Sequence, residues 1–286
     1  MSIDSVFIPC AGKGTRMGEM GKTIPKPLWP IFDITLLEFQ INFFKSIGFK
    51  NFYINTHHLS DSFHSLKDKI ENFSILEEPV LLGSGGSLHN LKKSFPGLER
   101  VLIANPDVFY NLSHEQWMNF LSSSQQKDRD NTLMPIFCQR SEAYNEIIKN
   151  GDDHFERVNG PNHQREYITY SGIGVIDLKS FDRVEGESSF FETVVNPKMN
   201  RTKIYMSETI EQDVNHYWDF GTLSLYIENH LKIIESSSDE AKRMFQTLSQ
   251  FNSLTPKKKY KDESSSTLEV GELRIDLSSQ KVELID

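Results

Sequence analysis

Nowhere does this chain of 286 residues hold an apolar stretch near the ~20 residues that a membrane-spanning helix needs. Cysteine is nearly missing: Cys10 and Cys138 are the two present, too few and too far apart for a disulfide framework or a zinc site. Positive charge is in deficit as well. Asp and Glu number 40 against 31 Lys and Arg, a formal net charge of −9, which argues against the broad basic face that nucleic-acid binding requires. The first residues, Met1-Ser2-Ile3-Asp4, have neither the basic region nor the apolar core of a secretory signal. These absences predict a cytoplasmic protein with no membrane and no nucleic acid among its partners. No internal repeat is visible.

What is present is ordinary in bulk, with 37% hydrophobic and 25% charged residues, and long enough to bury a full core. Strand and helix patterns alternate along the first half. Val6–Pro9 reads as a buried strand. Ile34–Ile47 has apolar residues at helical spacing and stops at Gly48. Phe52–Asn55 reads as a strand, followed by a helix opened by Ser60 or Asp61. Ser74–Leu76 is the next strand, then a glycine turn at Gly83-Ser-Gly-Gly86 and a short helix from Ser87. Val101–Ala104 ends in Asn105-Pro106-Asp107, and Ser113-His-Glu-Gln116 is a capping box. In the second half Leu133–Cys138, Glu146–Lys149, Tyr167–Asp177 and Lys203–Ser207 read as strands, Phe190–Val195 and Thr222–Glu235 as helices. This alternation predicts an α/β fold, a mostly parallel Rossmann-like sheet flanked by helices, with ligands at the edge where the loops after the strands gather.

Beyond residue 236 the character changes. Ser236-Ser-Ser-Asp239, Pro256-Lys-Lys-Lys259 and Ser264-Ser-Ser266 surround one helical stretch near Ala241–Leu248, and 267–285 alternates like a hairpin. The expected division is a main domain over 1–236 and, over 237–286, a linker with a small C-terminal β extension.

The stretch "AGKGTRMGEMGKTIPKP", Ala11 to Pro27, follows the first strand and concentrates four glycines with Lys13, Arg16, Lys22 and Lys26. It is not a P-loop, because Arg16 stands where the first glycine of that motif belongs; nor is it a dinucleotide fingerprint, because Met17 holds the place of the third glycine. What remains is a loop whose backbone amides and guanidinium can wrap a polyphosphate.

Ala11-Gly12-Lys13-Gly14-Thr15-Arg16-Met17 with Pro25-Lys26-Pro27-Leu28 resembles the signature of the sugar-1-phosphate nucleotidyltransferases, the nucleotide-sugar pyrophosphorylases. Later pieces follow in that family's order: Leu82-Gly83-Ser84-Gly85-Gly86, Asn105-Pro106-Asp107, Tyr170-Ser171-Gly172-Ile173 and Trp218-Asp219-Phe220-Gly221-Thr222. The resemblance covers roughly residues 3–235 and is greatest to the branch of N-acetylmuramate-1-phosphate uridylyltransferases and mannose-1-phosphate guanylyltransferases.

The resemblance implies a reaction in which a sugar-1-phosphate oxygen attacks the α-phosphorus of a nucleoside triphosphate and pyrophosphate leaves. It implies Arg16 and Lys26 as catalytic residues. Ala11, Gly12, Gly14, Thr15, Arg16, Glu78, Gly83, Gly85 and Gly86 would meet the nucleotide, and Asn105, Gly172 and Glu192 the sugar phosphate. Asp107 and Asp219 would hold Mg²⁺. By the same analogy Tyr170–Gly174 and Glu187–Val195 line the sugar pocket. Glu77 and Glu78 would suit guanine, whereas the overall resemblance suits uracil, and UTP is placed ahead of GTP. The Glu-Lys-Pro segment that meets the sugar phosphate in other branches is absent, with Lys149, Arg157 and Arg165 as candidate substitutes. A homo-oligomer stays open. So does a regulatory subunit that binds nucleotide sugars without turnover, and a rival role for Asp219 as a helix N-cap.

Overall fold

The structure, a computed structural model, describes residues 3–126, 130–138, 144–162, 164–181, 186–195, 204–207, 217–252 and 267–285. In chain order the first half comprises β1 (Ser5–Pro9), the short pair β2 (Pro30–Ile31) and β3 (Ile34–Thr35), α1 (Leu36–Ser46), β4 (Asn51–Thr56), β5 (Phe73–Glu77), α2 (Gly83–Ser94), β6 (Arg100–Ala104), β7 (Val108–Tyr110) and α3 (His114–Ser124). The second half comprises β8 (Asn131–Cys138), β9 (Glu146–Lys149), β10 (Phe155–Asn159), β11 (Tyr167–Asp177), β12 (Ile204–Met206), β13 (Tyr217–Asp219), α4 (Leu223–Glu235), α5 (Asp239–Ser249), β14 (Thr267–Val270), β15 (Leu273–Asp276) and β16 (Val282–Leu284).

A seven-stranded sheet in the order β12-β8-β11-β6-β1-β4-β5 forms the frame. β1 pairs in parallel with β4 on one side and β6 on the other, and β11 alone runs against the rest. Both faces of β1 are covered, which is why its sequence is a continuous apolar run rather than an alternation. Val6 and Ile8 enter the larger core with α1, α3, α4 and α5, while Phe7 enters a second core beneath α2.

Local signals fix the helix starts. Thr35 Oγ1 accepts the Glu38 amide at 3.1 Å and the Glu38 carboxylate accepts the Thr35 amide at 3.1 Å, the reciprocal pair that the orphan amides of a first turn require. Ser113 and Gln116 repeat it at α3. From β1 the chain steps outward to β4 and β5, then returns to the opposite side of β1 as β6. The crevice between diverging loops at such a reversal is where α/β sheets bind ligands.

Three expectations are corrected. Gly83 to Gly86 is not a turn ahead of a helix but the first turn of α2 itself, where the Ser188 carbonyl, in place of a side-chain cap, takes the Gly85 and Gly86 amides. The segment Ser60–Leu66 is a tight 3₁₀ turn begun by Leu59 in a left-handed conformation (φ 56°), with no Ser or Asp cap. The tail over 267–285 holds three antiparallel strands, β14-β15-β16, rather than a two-stranded hairpin. Leu268, Val270, Leu273 and Ile275 are fully buried in the larger core. Lys203 and the linker over 253–266 lie outside the described residues.

Candidate active site

β1 ends at Pro9 and releases the glycine-rich loop across the ends of β4 and β6. Two short 3₁₀ turns, Thr15–Met17 and Glu19–Lys22, shape this loop. Gly14 (φ 64°) closes the first turn by accepting the Met17 amide at 2.9 Å, and a Cβ on Gly14 would sit 3.0 Å from the Gly21 carbonyl. Met17 is fully buried and pins the loop to the core, leaving Gly12, Lys13 and Arg16 exposed around a cavity of about 400 Å³.

A Cβ on Gly12 would meet nothing within 4 Å. Packing within the chain therefore does not demand glycine there, and the space in front of it is open to a ligand.

Asn55, near the end of β4, is a buried polar residue that with Thr56 follows the buried Phe52 and Ile54. Its Oδ1 accepts the Cys10 amide at 2.8 Å, while its amide nitrogen donates to Ser87 Oγ at 2.7 Å and Glu78 Oε1 at 3.1 Å. One side chain thus ties the loop after β1 to the start of α2. The sequence signal for it, an asparagine closing a buried strand, is faint. Glu78 lies behind Asn55 rather than on the cavity wall, and burial pushes its carboxyl pKa up, with Asn55 and Ser87 among the groups that pull it back. Glu77 is exposed and paired with His64 Nε2 at 3.0 Å. Cys10 is buried, and burial together with nearby Asp107 raises its pKa, so it stays a neutral thiol.

The charged centre assembles from four elements. Lys26, buried after Pro25, donates to Asp107 Oδ2 and to the Gly221 carbonyl at 3.3 Å. Arg16 reaches the same carboxylate oxygen at 3.8 Å from the exposed side. Asp107 lies between β6 and β7, and β7 pairs antiparallel with β13, setting Asp219 opposite Val108. A Cβ on Gly221 would sit 2.7 Å from Asp219 Oδ1 and 3.0 Å from Asp107 Oδ2, so the two carboxylates converge on one small space. Asp219 Oδ1 accepts the Gly221 amide at 2.6 Å and Oδ2 accepts the Tyr144 hydroxyl. Its pKa is raised, first by burial and further by Asp107, against the opposing pull of Tyr144, Gly221 and Lys26. Thr222, not Asp219, caps α4: its hydroxyl accepts the Leu225 amide at 3.3 Å. Tyr144 is a contact that the sequence did not signal, since it lies just ahead of β9 with no motif of its own.

The remaining expected residues are placed as follows. Ala11, Gly12, Gly14, Thr15, Arg16, Lys26, Gly83, Asn105 and Asp107 border the cavity. Gly85 and Gly86 do not border it; their amides donate to the Ser188 carbonyl at 2.9 and 3.2 Å, and Cβ atoms there would collide with the segment over 186–193. Gly172 (φ 83°) backs Asn105, whose amide donates to its carbonyl at 3.0 Å. Glu192 is exposed and caps its own turn through the Ser189 amide at 2.7 Å, which holds its pKa down. Lys149, Arg157 and Arg165 are engaged by Asp153, Glu156 and Glu146. Tyr170, Phe190 and Phe191 wall a second, smaller cavity beside the first. Among the described residues no group of three or more His, Cys, Asp or Glu could hold a metal, and no helix is long and apolar enough to cross a membrane.

Residues 7–236 match the Nucleotidyl transferase family. The chain is 34% identical over 114 residues to the D-glycero-alpha-D-manno-heptose 1-phosphate guanylyltransferase of Campylobacter jejuni, covering 37% of this chain and 48% of that protein. It is 38% identical over 59 residues to the UTP–glucose-1-phosphate uridylyltransferase of Synechocystis, 21% of this chain and 15% of that protein. These matches span about half of the first relative and less of the second. Crystal structures of HddC from Yersinia pseudotuberculosis, one of them complexed with GMP-PN, share the fold with TM-scores of 0.65 and 0.64 at 19% identity, covering 79% of this chain and 97% of theirs.

Proposed function

The chain belongs to the nucleotidyl transferase family, and from that premise we propose that it transfers a nucleotidyl group from a nucleoside triphosphate to a sugar 1-phosphate. The observation that carries this reading is the charged centre at the cavity under the glycine-rich loop, which Arg16, Lys26 and Asp107 border, with Asp219 converging on Asp107. An oxygen of the sugar phosphate attacks the α-phosphorus. The bond from that phosphorus to the bridging oxygen breaks, and pyrophosphate leaves with the electron pair. The attacking phosphate, with a second pKa near 6, is already ionised at neutral pH, so no general base is needed. The task is to bring two polyanions together and hold them in line.

The chain's own groups suit that task. Exposed Arg16 braces the triphosphate bidentately, where a lysine would be a point charge. Lys26 is fixed by Pro25, Asp107 and the Gly221 carbonyl, so its ammonium is preorganised for the phosphate oxygens at the reacting centre. Gly12 leaves its backbone open to close approach.

Two convergent carboxylates, with no third acid among the described residues, fit Mg²⁺, a hard ion that takes one or two carboxylates and completes its shell with phosphate and water. Asp107 and Asp219 would hold it, and when bound it would neutralise phosphate charge.

The base proposed is uracil. A guanine reader needs an acceptor for its N1 and N2 protons, yet Glu77 is paired with His64 and Glu78 sits behind Asn55. Tighter binding of GTP than UTP in calorimetric titration would overturn this choice alone. The transfer itself is tested by pyrophosphate release with several triphosphate and sugar-phosphate pairs. Release that needs both substrates and Mg²⁺ is expected; nucleotide-sugar binding without release would identify a regulatory subunit instead.

A further inference from the structure

Asp107 and Asp219 are joined through the backbone before their side chains meet. The Phe220 amide donates to the Asp107 carbonyl at 2.7 Å, and Asn229 Nδ2 of α4 donates to the Asp219 carbonyl at 2.7 Å. With β13 paired to β7, the main chain at Asp219 is fixed. A carboxylate still turns about its side-chain bonds, and a donor at each oxygen removes that freedom.

Asp219 has both donors. Oδ1 accepts the Gly221 amide at 2.6 Å and is the oxygen that converges on Asp107 Oδ2. Oδ2 accepts the Tyr144 hydroxyl. Tyr144 lies just ahead of β9, and its own carbonyl accepts the hydroxyl of Tyr167 on β11 at 2.6 Å. Tyr167 is buried, and β11 is an inner strand of the seven-stranded sheet. The sheet thus sets where Tyr144 stands, and Tyr144 sets how Asp219 turns.

The donors to the two acids differ in charge. Asp107 is met by Lys26 and Arg16, cations that share its Oδ2. Tyr144 is neutral, so its hydroxyl orients the Asp219 carboxylate without cancelling the negative charge that a divalent ion needs. Groups that hold a ligating carboxylate in this way set metal affinity by about 10–100-fold. We propose that Tyr144 is a positioning residue, whose hydroxyl keeps Asp219 Oδ1 turned towards Asp107 so that the two carboxylates bind Mg²⁺ together. This rests on the transferase reading and adds a residue to it.

The test is calorimetric binding of UTP and of GTP, each in saturating Mg²⁺ and in EDTA, to the parent protein and to Tyr144→Phe. The ratio of the two Kd values is the affinity that the metal adds. In Tyr144→Phe that ratio should fall by about 10-fold or more, at an unchanged Kd in EDTA. The Mg²⁺ concentration for half-maximal pyrophosphate release should rise with it. Asp219→Asn should lose the ratio by itself, and adding Tyr144→Phe should remove little more, because the hydroxyl acts through that carboxylate. Tyr167→Phe should shrink the ratio in the same direction and by less, and it carries the test should Tyr144→Phe fail to fold. An undiminished ratio in Tyr144→Phe overturns the positioning role. So does weakening that is equal with and without Mg²⁺, the mark of a nucleotide site that has merely loosened. A ratio that falls as expected in a protein releasing no pyrophosphate with any sugar phosphate keeps the role of Tyr144 and overturns the transfer.

Discussion

Asp219 separates two accounts of the charged centre. If it and Asp107 share one Mg²⁺, Asp107→Asn and Asp219→Asn should each lower turnover on the order of 10²-fold or more, as loss of other preorganised charges does. The double variant should lose little beyond either single one, because one ion carries both effects. Melting temperature should hold or rise, since burial and the neighbouring carboxylate already disfavour the Asp219 charge. Turnover by Asp219→Asn at the parent rate and the parent Mg²⁺ requirement removes the two-carboxylate site. A second single residue sets a pH limit on the fold. His230 is buried among Phe32, Phe220 and Tyr226, and its Nδ1–H donates to the Tyr226 carbonyl at 2.7 Å. Burial lowers its pKa from 6.5 to about 4. Below pH 6.5 the unfolded chain takes up a proton that the folded one refuses. The stability tied to this residue is therefore complete above 6.5 and falls as pH drops towards 4, by up to ~1.4 kcal/mol per pH unit. His230→Gln should show a shallower loss of melting temperature between pH 7 and 5 than the parent; parallel profiles would refute it. Asp107 and Asp219 were legible in the sequence because each lies in a short motif. Asn55 and Tyr144 were not, because strand register and chain crossing bring them to the site, and neither leaves a local pattern.

At the scale of elements, glycine does two different jobs in the first turn of α2 and in the loop after β1. In α2 it is a packing requirement: a Cβ on Gly85 would sit 2.8 Å from Ser188 Oγ and press on the backbone of the same segment. Gly85→Ala should cost ~1–3 kcal/mol of overpacking, a drop of several degrees in melting temperature, and should loosen the turn that carries Phe190. In the glycine-rich loop after β1, Gly12→Ala meets nothing within 4 Å and should leave the melting temperature unchanged. It should instead raise the triphosphate KM by about 10-fold or more through crowding of the bound polyphosphate. A falling melting temperature in Gly12→Ala, at an unchanged KM, would reverse the assignment. The sequence showed all these glycines alike, since a residue without a side chain leaves no mark of what its missing Cβ would touch. Strands and capped helices were easier, because apolar periodicity and a Ser or Thr three residues ahead of Glu or Gln act within a few positions. The paired strands β7 and β13 escaped notice for the opposite reason: each is three residues long and they are joined only across the fold.

At the scale of the molecule, the question is what the last twenty residues contribute. The strands β14, β15 and β16 are four, four and three residues long, and the apolar face they carry is stabilised by leaving water against another surface. Here Leu268, Val270, Leu273 and Ile275 are fully buried within the core that also holds α1, α4 and α5. The turn between β14 and β15 presses onto the start of the chain: Gly271 (φ 56°) leaves no room for a Cβ, which would sit 2.6 Å from Pro30 Cβ. The hydroxyl of Tyr226 on α4 reaches the Pro30 carbonyl, so the tail, β2 and α4 close on one another a short distance along the chain from Lys26. We therefore expect the tail to act as a structural part of the transferase fold. Leu273→Ala should cost ~2–5 kcal/mol, as buried leucine truncations do, and lower the melting temperature by roughly ten degrees. Truncation at residue 262 should leave Phe32 and its apolar neighbours bare, giving a protein that melts earlier or aggregates. Sedimentation of the parent and the truncated chain distinguishes this from docking on a second copy. Loss of stability at an unchanged mass places the tail on its own core, whereas a halved mass at unchanged stability would assign it to a subunit contact, and no change in either would make it a passive appendage.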